Sequence, residues 1–79
     1  YFIEAEAAFK AREAQVELDT VTDPDNPVLK VKKGNRNLII PANKDFVEMN
    51  GTRIQTKLIN VYNRKNFYVS RQVLSLLSD

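Results

Sequence analysis

Asp19, Asp23, Asp25 and Asn26 bring four side-chain oxygen donors into one short stretch. Calcium, a hard cation that takes six to eight oxygen ligands, is the chemistry such a cluster would serve. The EF-hand spacing is absent, with neither the glycine at loop position 6 nor the closing glutamate. The same residues also describe a loop of Asx turns, in which Asp and Asn side chains bond their own backbone. A second group is basic: Lys30, Lys32, Lys33 and Arg36, followed by Arg53, Lys57, Arg64 and Lys65. Interleaved with Tyr62, Phe67 and Tyr68, these cations are candidates for a basic binding face, since nucleic-acid binders join positive grooves to stacking aromatics. Aromatics near strand ends more often belong to a core, and no Gly-rich or single-strand-binding signature accompanies these three.

Catalysis finds little to work with. The chain has no histidine and no cysteine, which removes the commonest general base near neutral pH, the thiolate nucleophile and thiolate zinc ligation together. Ser70, Ser75 and Ser78 have no base beside them, and Ser70 stands where a helix N-cap is expected. Glu48 is the only acid between Asp45 and Asp79, so the basic half offers no carboxylate pair of the kind glycoside hydrolysis needs. The expectation is no catalytic residue, no metal site and no cofactor.

Positioning these side chains is the task of local elements. "IEAEAAFKAREA", residues 3–14, is rich in Ala and Glu and predicts a helix with an apolar stripe of Ile3, Ala7 and Ala8, Phe9 at its edge. Glu4 and Glu6 precede Lys10 and Arg12, the order that suits the helix dipole. "VELDTVT", residues 16–22, begins with the alternation of a half-buried strand, and "DPDNP", residues 23–27, stops it. "VLKVKK", residues 28–33, is a strand with Leu29 and Val31 on one face. It turns at Gly34-Asn35 into "NLII" and Pro41 as a hairpin. Asn50-Gly51 is the pair best suited to φ > 0 at both centres of a type I′ turn, which sets the register between strands at Phe46–Met49 and Thr52–Leu58. "LINVY" then places apolar residues on both sides, as at a bulge near Leu58-Ile59 or in a strand covered on both faces. A polar turn at residues 63–66, a strand at "FYV" and a helix over 70–78 complete the chain.

Seventy-nine residues with 43% hydrophobic and 28% charged composition make one small globular domain with a thin core. The fold class expected is α+β: a small antiparallel sheet of hairpins packed on one or two short helices, with strands inside residues 16–69. No apolar run reaches the roughly 20 residues of a membrane-spanning helix, so no membrane insertion is expected. The opening Tyr1-Phe2-Ile3 reads as the start of an excised or processed piece. The net charge of +2 is divided: residues 1–27 hold seven acids and two bases, residues 28–79 ten bases and three acids. Such a division either steers an anionic partner to one end or is neutralised by the two halves lying together.

The order strand, Met49-Asn50-Gly51, strand, Asn63-Arg64-Lys65-Asn66, Phe67-Tyr68-Val69, helix resembles the repeat of the copper amine oxidase N-terminal-like, or stalk, domain family. Residues 45–77 carry the likeness, and "VELD" at Val16–Asp19 resembles the Val-x-Trp-Asp strand that follows the helix in that family, with Leu in place of Trp. Ser70 stands where the family has Pro, Arg71-Gln72 where it has Leu-Arg, and the second Asn-Gly is missing. The resemblance implies a single stalk-like domain, phase-shifted so that it runs from the helix of one repeat to the helix of the next. "YFIEAEAAF" and "FYVSRQVLSL" would then be two copies of one element. It further implies an accessory module in secreted or cell-envelope proteins of Gram-positive bacteria, with the copper of the named enzymes in a different domain.

The function expected is therefore a non-catalytic spacer or interaction module. Its partners would be other domains of a parent protein, a self-assembling neighbour that completes its sheet, or an anionic cell-wall polymer. The alternative is a small nucleic-acid-binding domain that uses the basic residues on phosphates.

Overall fold

The computed structural model describes residues 2–77. The chain is α+β, with two antiparallel sheets and two short helices. Strand β1 (Phe2–Glu4) runs directly into helix α1 (Ala5–Ala11), and β2 (Gln15–Asp19) leads through the Asp-Pro loop to β3 (Val28–Lys33). Then come β4 (Arg36–Pro41), β5 (Phe46–Met49), β6 (Thr52–Gln55), β7 (Val61–Tyr62), β8 (Phe67–Ser70) and helix α2 (Arg71–Ser75). Strands β2 to β6 form a five-stranded meander in sequence order, and a three-stranded sheet has the order β1-β8-β7.

Local chemistry sets the meander. At Asn50-Gly51 both residues have positive φ, 52° and 85°, which is the type I′ turn, and Met49 pairs with Thr52 across it. At Gly34-Asn35 only the glycine is positive, at 59°, as in a type II′ turn, and Lys33 pairs with Arg36. Asn50 also reaches sideways: its backbone N–H donates to the Asn37 carbonyl at 2.9 Å, and its side-chain Oδ1 accepts the Asn37 N–H at 2.9 Å. One residue thus makes the turn and ties the β5–β6 hairpin to β4.

The core lies between the inner face of the large sheet and a layer made of the small sheet and both helices. Leu29, Val31, Leu38, Ile40 and Val47 come from the first, and Ala5, Phe9, Phe67, Val69, Val73 and Leu77 from the second. All are 2% exposed or less. At about 25 cal/mol per Å² of apolar area, such residues supply most of the folding energy.

Four local expectations are corrected. Ile3 and Glu4 are strand, not helix, because with Phe2 they find a ladder on β8: Phe2 faces Ser70, Ile3 faces Val69 and Glu4 faces Tyr68. The helix is consequently shorter than residues 3–14, and its buried positions are Ala5 and Phe9, while Ala7 is exposed. The strand expected over Thr52–Leu58 ends at Gln55, and "LINVY" is neither bulge nor doubly covered strand. Its first three residues are the crossing between sheets, where Ile59 is 52% exposed and the polar Asn60 is fully buried, and Val61–Tyr62 is β7. Helix α2 stops at Ser75, and the rest of the expected 70–78 helix is a turn at Leu76 and Leu77, with Ser78 outside the described residues.

Candidate functional site

Period-two alternation decides which charges share a surface. In β3 the odd residues Leu29 and Val31 enter the core, so Lys30 and Lys32 project from the outer face of the large sheet. Following the ladders sideways, Glu17, Lys30, Ile39, Glu48 and Arg53 fall in one row. Gln15, Lys32 and Asn37 form the row beside it. An open trough of about 500 Å³ lies over these rows, lined by Gln15, Glu17, Lys30, Lys32, Asn37 and Ile39. Ile39 is 39% exposed there, an apolar spot among charges.

The long row alternates in sign and is not uniformly basic. Lys30 Nζ lies 3.7 Å from the Asp19 carboxylate, and the Arg53 guanidinium rests 3.9 Å above the Phe46 ring. The acidic first part of the chain and the basic remainder meet where β2 pairs with β3, which answers the division of charge in the sequence.

The eight expected cations are distributed over the surface. Lys30, Lys32 and Arg53 share the outer face; Lys33 and Arg36 sit at the Gly34-Asn35 hairpin end; Lys57 lies in the loop after β6; Arg64 and Lys65 occupy the β7–β8 turn on the other sheet. Nor do the aromatics interleave with them as a stacking platform. Phe67 is fully buried and packs on Tyr62 with ring centroids 5.8 Å apart, and the Tyr62 hydroxyl donates to the Arg64 carbonyl at 2.8 Å.

The acidic loop resolves as two successive Asx turns. The Asp19 carboxylate accepts from the N–H groups of Val21 and Thr22, each at 3.1 Å, and from the Thr22 hydroxyl at 2.9 Å. The Asp23 carboxylate accepts from Asp25 N–H at 3.2 Å and from the Asn26 amide at 3.1 Å. Thr22 first, then Val21 and the nearby Lys30, hold the Asp19 carboxyl below its ordinary pKa. Among the described residues, no three acidic side chains converge as metal ligands.

Ser70 occupies the N-cap position of α2 but makes no capping bond; its hydroxyl is buried without a partner. Pairing with Phe2 across the small sheet accounts for its burial. Glu4, not a usual cap residue, caps α1 instead, accepting from Glu6 N–H at 2.7 Å and Ala7 N–H at 3.1 Å.

Two structural residues escaped the sequence reading. Asn60 donates its amide to the carbonyls of Pro41 at 2.9 Å and Phe46 at 3.0 Å. Its backbone bonds Lys44 and Asn43. A single amide inside the apolar run "LINVY" was the available signal, because a buried polar group among apolar neighbours must find hydrogen bonds. Asn37, the lateral partner of Asn50, gave no such signal.

No protein-family model matches the chain, and no curated protein or solved structure matches it either. No described helix is long and apolar enough to cross a membrane.

Proposed function

We propose that this chain is a non-catalytic interaction and spacer module that receives an extended protein segment across the outer face of its five-stranded sheet. The mixed-sign row Glu17, Lys30, Ile39, Glu48, Arg53 carries this reading. A polyanion is best held by charge of one sign, whereas protein partners are selected by complementary positive and negative groups around an apolar contact. The resemblance to stalk domains supports placement in a secreted or cell-envelope bacterial protein, where such a module separates or joins other domains.

Selection of extended peptides from a displayed library, followed by amide-shift mapping, tests it. Selected peptides are expected to move the signals of Gln15, Glu17, Lys30, Lys32, Asn37 and Ile39. Ile39→Glu is expected to weaken them about tenfold, which is about 1.4 kcal/mol. Parallel titrations use an oligonucleotide and a teichoic acid at two salt concentrations. Steeply salt-dependent binding that maps instead to Lys57, Arg64 and Lys65 would replace this reading with a polyanion site.

A further inference from the structure

The two edges of the large sheet are unfinished in matching ways. Among the described residues, strand β2 has a neighbour only on its β3 side, and β6 only on its β5 side. On their inner faces Val16, Leu18 and Ile54 remain half-buried, while the equivalent residues of β3, β4 and β5 that form the core are buried. Neither Gln15–Asp19 nor Thr52–Gln55 contains a proline or a lysine; the charges they do carry, Glu17 and Asp19 on one and Arg53 on the other, are of opposite sign and so discourage pairing of like edges more than of unlike ones.

The hydrogen-bond phase of each edge follows from the turns. Across Asn50-Gly51, Met49 and Thr52 are a bonded pair, and Thr56 N–H to the Asp45 carbonyl at 2.7 Å keeps the same phase. Arg53 and Gln55 therefore direct their N–H and C=O groups off the free edge. Across Gly34-Asn35 the bonded pair is Lys33–Arg36, so Leu29 and Val31 bond β4, and Lys30 and Lys32 bond β2. Gln15, Glu17 and Asp19 are thus engaged with β3, and Val16 and Leu18 direct their N–H and C=O groups off the opposite edge. Among the described residues, no backbone bond is made by Val16, Leu18, Arg53 or Gln55 on those sides.

Four antiparallel steps separate β2 from β6, so the two strands run parallel. In a parallel ladder a residue bonds the neighbours on either side of its opposite number. Arg53 can therefore bond Val16 and Leu18 of another copy only with Glu17 of that copy opposite it. In the same register both side chains lie on the outer face, and Ile54 meets Leu18 on the inner face. The row ending in Glu48–Arg53 continues as Glu17–Lys30 without a break in alternation. Within one copy the Glu17 carboxylate has no ion pair among the described residues. Pairing β2 antiparallel with its own copy sets Glu17 against Glu17 or Asp19 in two registers and against Gln15 in the third, so none gives it a cation opposite.

From this coincidence of hydrogen-bond phase, charge and apolar contact, we infer that the chain associates head to tail with further copies of itself, β6 of one beside β2 of the next. The interface is heterologous, so a dimer still has one free edge at each end and the assembly grows beyond it with concentration, as a filament or to a closed ring. It uses the sheet edges and shares Glu17 and Arg53 with the outer-face row, while Ile39 takes no part in it.

Sedimentation equilibrium of the 79-residue chain over a range of concentrations tests it. The weight-average mass should rise without a plateau at the dimer. Arg53→Glu and Glu17→Arg should each remain monomeric where the parent chain associates, because each then carries like charges on both edges. An equimolar mixture of the two variants should associate again, and Ile39→Glu should associate as the parent does. A parent chain monomeric at all soluble concentrations would overturn the inference. So would single variants that associate unchanged, a plateau at the dimer, or a mixture that stays monomeric. Circular dichroism of each variant checks that the fold is kept.

Discussion

The two strand–helix units at the ends of the chain, β1–α1 and β8–α2, have the same backbone plan and different side-chain solutions. Ile3 faces Val69, and residues equally far from that pair correspond, Phe2 to Tyr68 and Glu4 to Ser70, so a local twofold relates the units. In each, the helix begins at the residue after the last strand residue. Glu4 caps its helix with two backbone bonds, whereas Ser70 caps nothing. The first unit leaves Phe2 44% exposed, while its counterpart Tyr68 is half-buried and the neighbouring Phe67 is fully buried. Position in the sheet explains the difference. Strand β8 lies between β1 and β7 and is paired on both sides, while β1 is an edge of the sheet.

The sharpest test of this asymmetry compares Phe67→Ala with Phe2→Ala. The first empties a buried site and should cost about 3–5 kcal/mol, against a total of roughly 4–12 kcal/mol for a domain of this length. The second should cost less than about 1 kcal/mol, in keeping with the small effects of surface changes. Urea unfolding followed by circular dichroism measures both, and equal losses would end the distinction between central and edge unit.

Asn60 sharpens the contrast on the polar side, since it is buried like Ser70 and its Oδ1 likewise lacks a partner, but its amide nitrogen donates two bonds. Asn60→Ala leaves the Pro41 and Phe46 carbonyls without their donor and should cost about 2–4 kcal/mol, from the penalty for unmet buried groups. Ser70→Ala should cost nothing measurable or stabilise slightly, because its hydroxyl has no partner to lose.

The caps themselves come next. Glu4→Ala should lower stability by about 0.5–2 kcal/mol, the usual worth of an N-cap. A loss at Ser70→Ala equal to that at Glu4→Ala would show the two units to be equivalent after all. Asp19 gives the smallest effect, since its carboxylate at the end of β2 takes backbone N–H groups as Glu4 does at the start of α1. Its folded pKa is lowered, so its contribution is present above the ordinary carboxylate value and is lost as pH falls through the folded one. The stability gap between the parent and Asp19→Asn should thus be full near neutrality, narrow below pH ~4, and close in stronger acid. A gap constant with pH would remove the carboxylate from the account.

Features set by neighbours in sequence were legible. Asn50-Gly51 and Gly34-Asn35 fixed two hairpins because the φ > 0 requirement is met or refused residue by residue. The alternation of Val28–Lys33 gave both its strand bounds and its buried face. Features set by distant partners were misread. Ile3 and Glu4 looked helical because Ala and Glu follow them, and the strand that claims them lies at the other end of the chain. The eight cations fall on several elements, with Lys30, Lys32 and Arg53 on one face, because spacing along the chain says nothing of which strands become neighbours. The ladder set Glu17 beside Lys30 and Glu48 beside Arg53.

By itself, then, the amino-acid order determined the α+β class, the hairpin turns and the inward faces of the central strands, since each depends on backbone sterics and period-two burial over a few residues. Only the tertiary structure decided that the end segments pair, that Glu4 rather than Ser70 caps a helix, that Asn60 is buried, and that the outer face is of mixed sign. Those outcomes depend on long-range pairing, whose loop-closure entropy is repaid only by contacts between residues far apart in the chain.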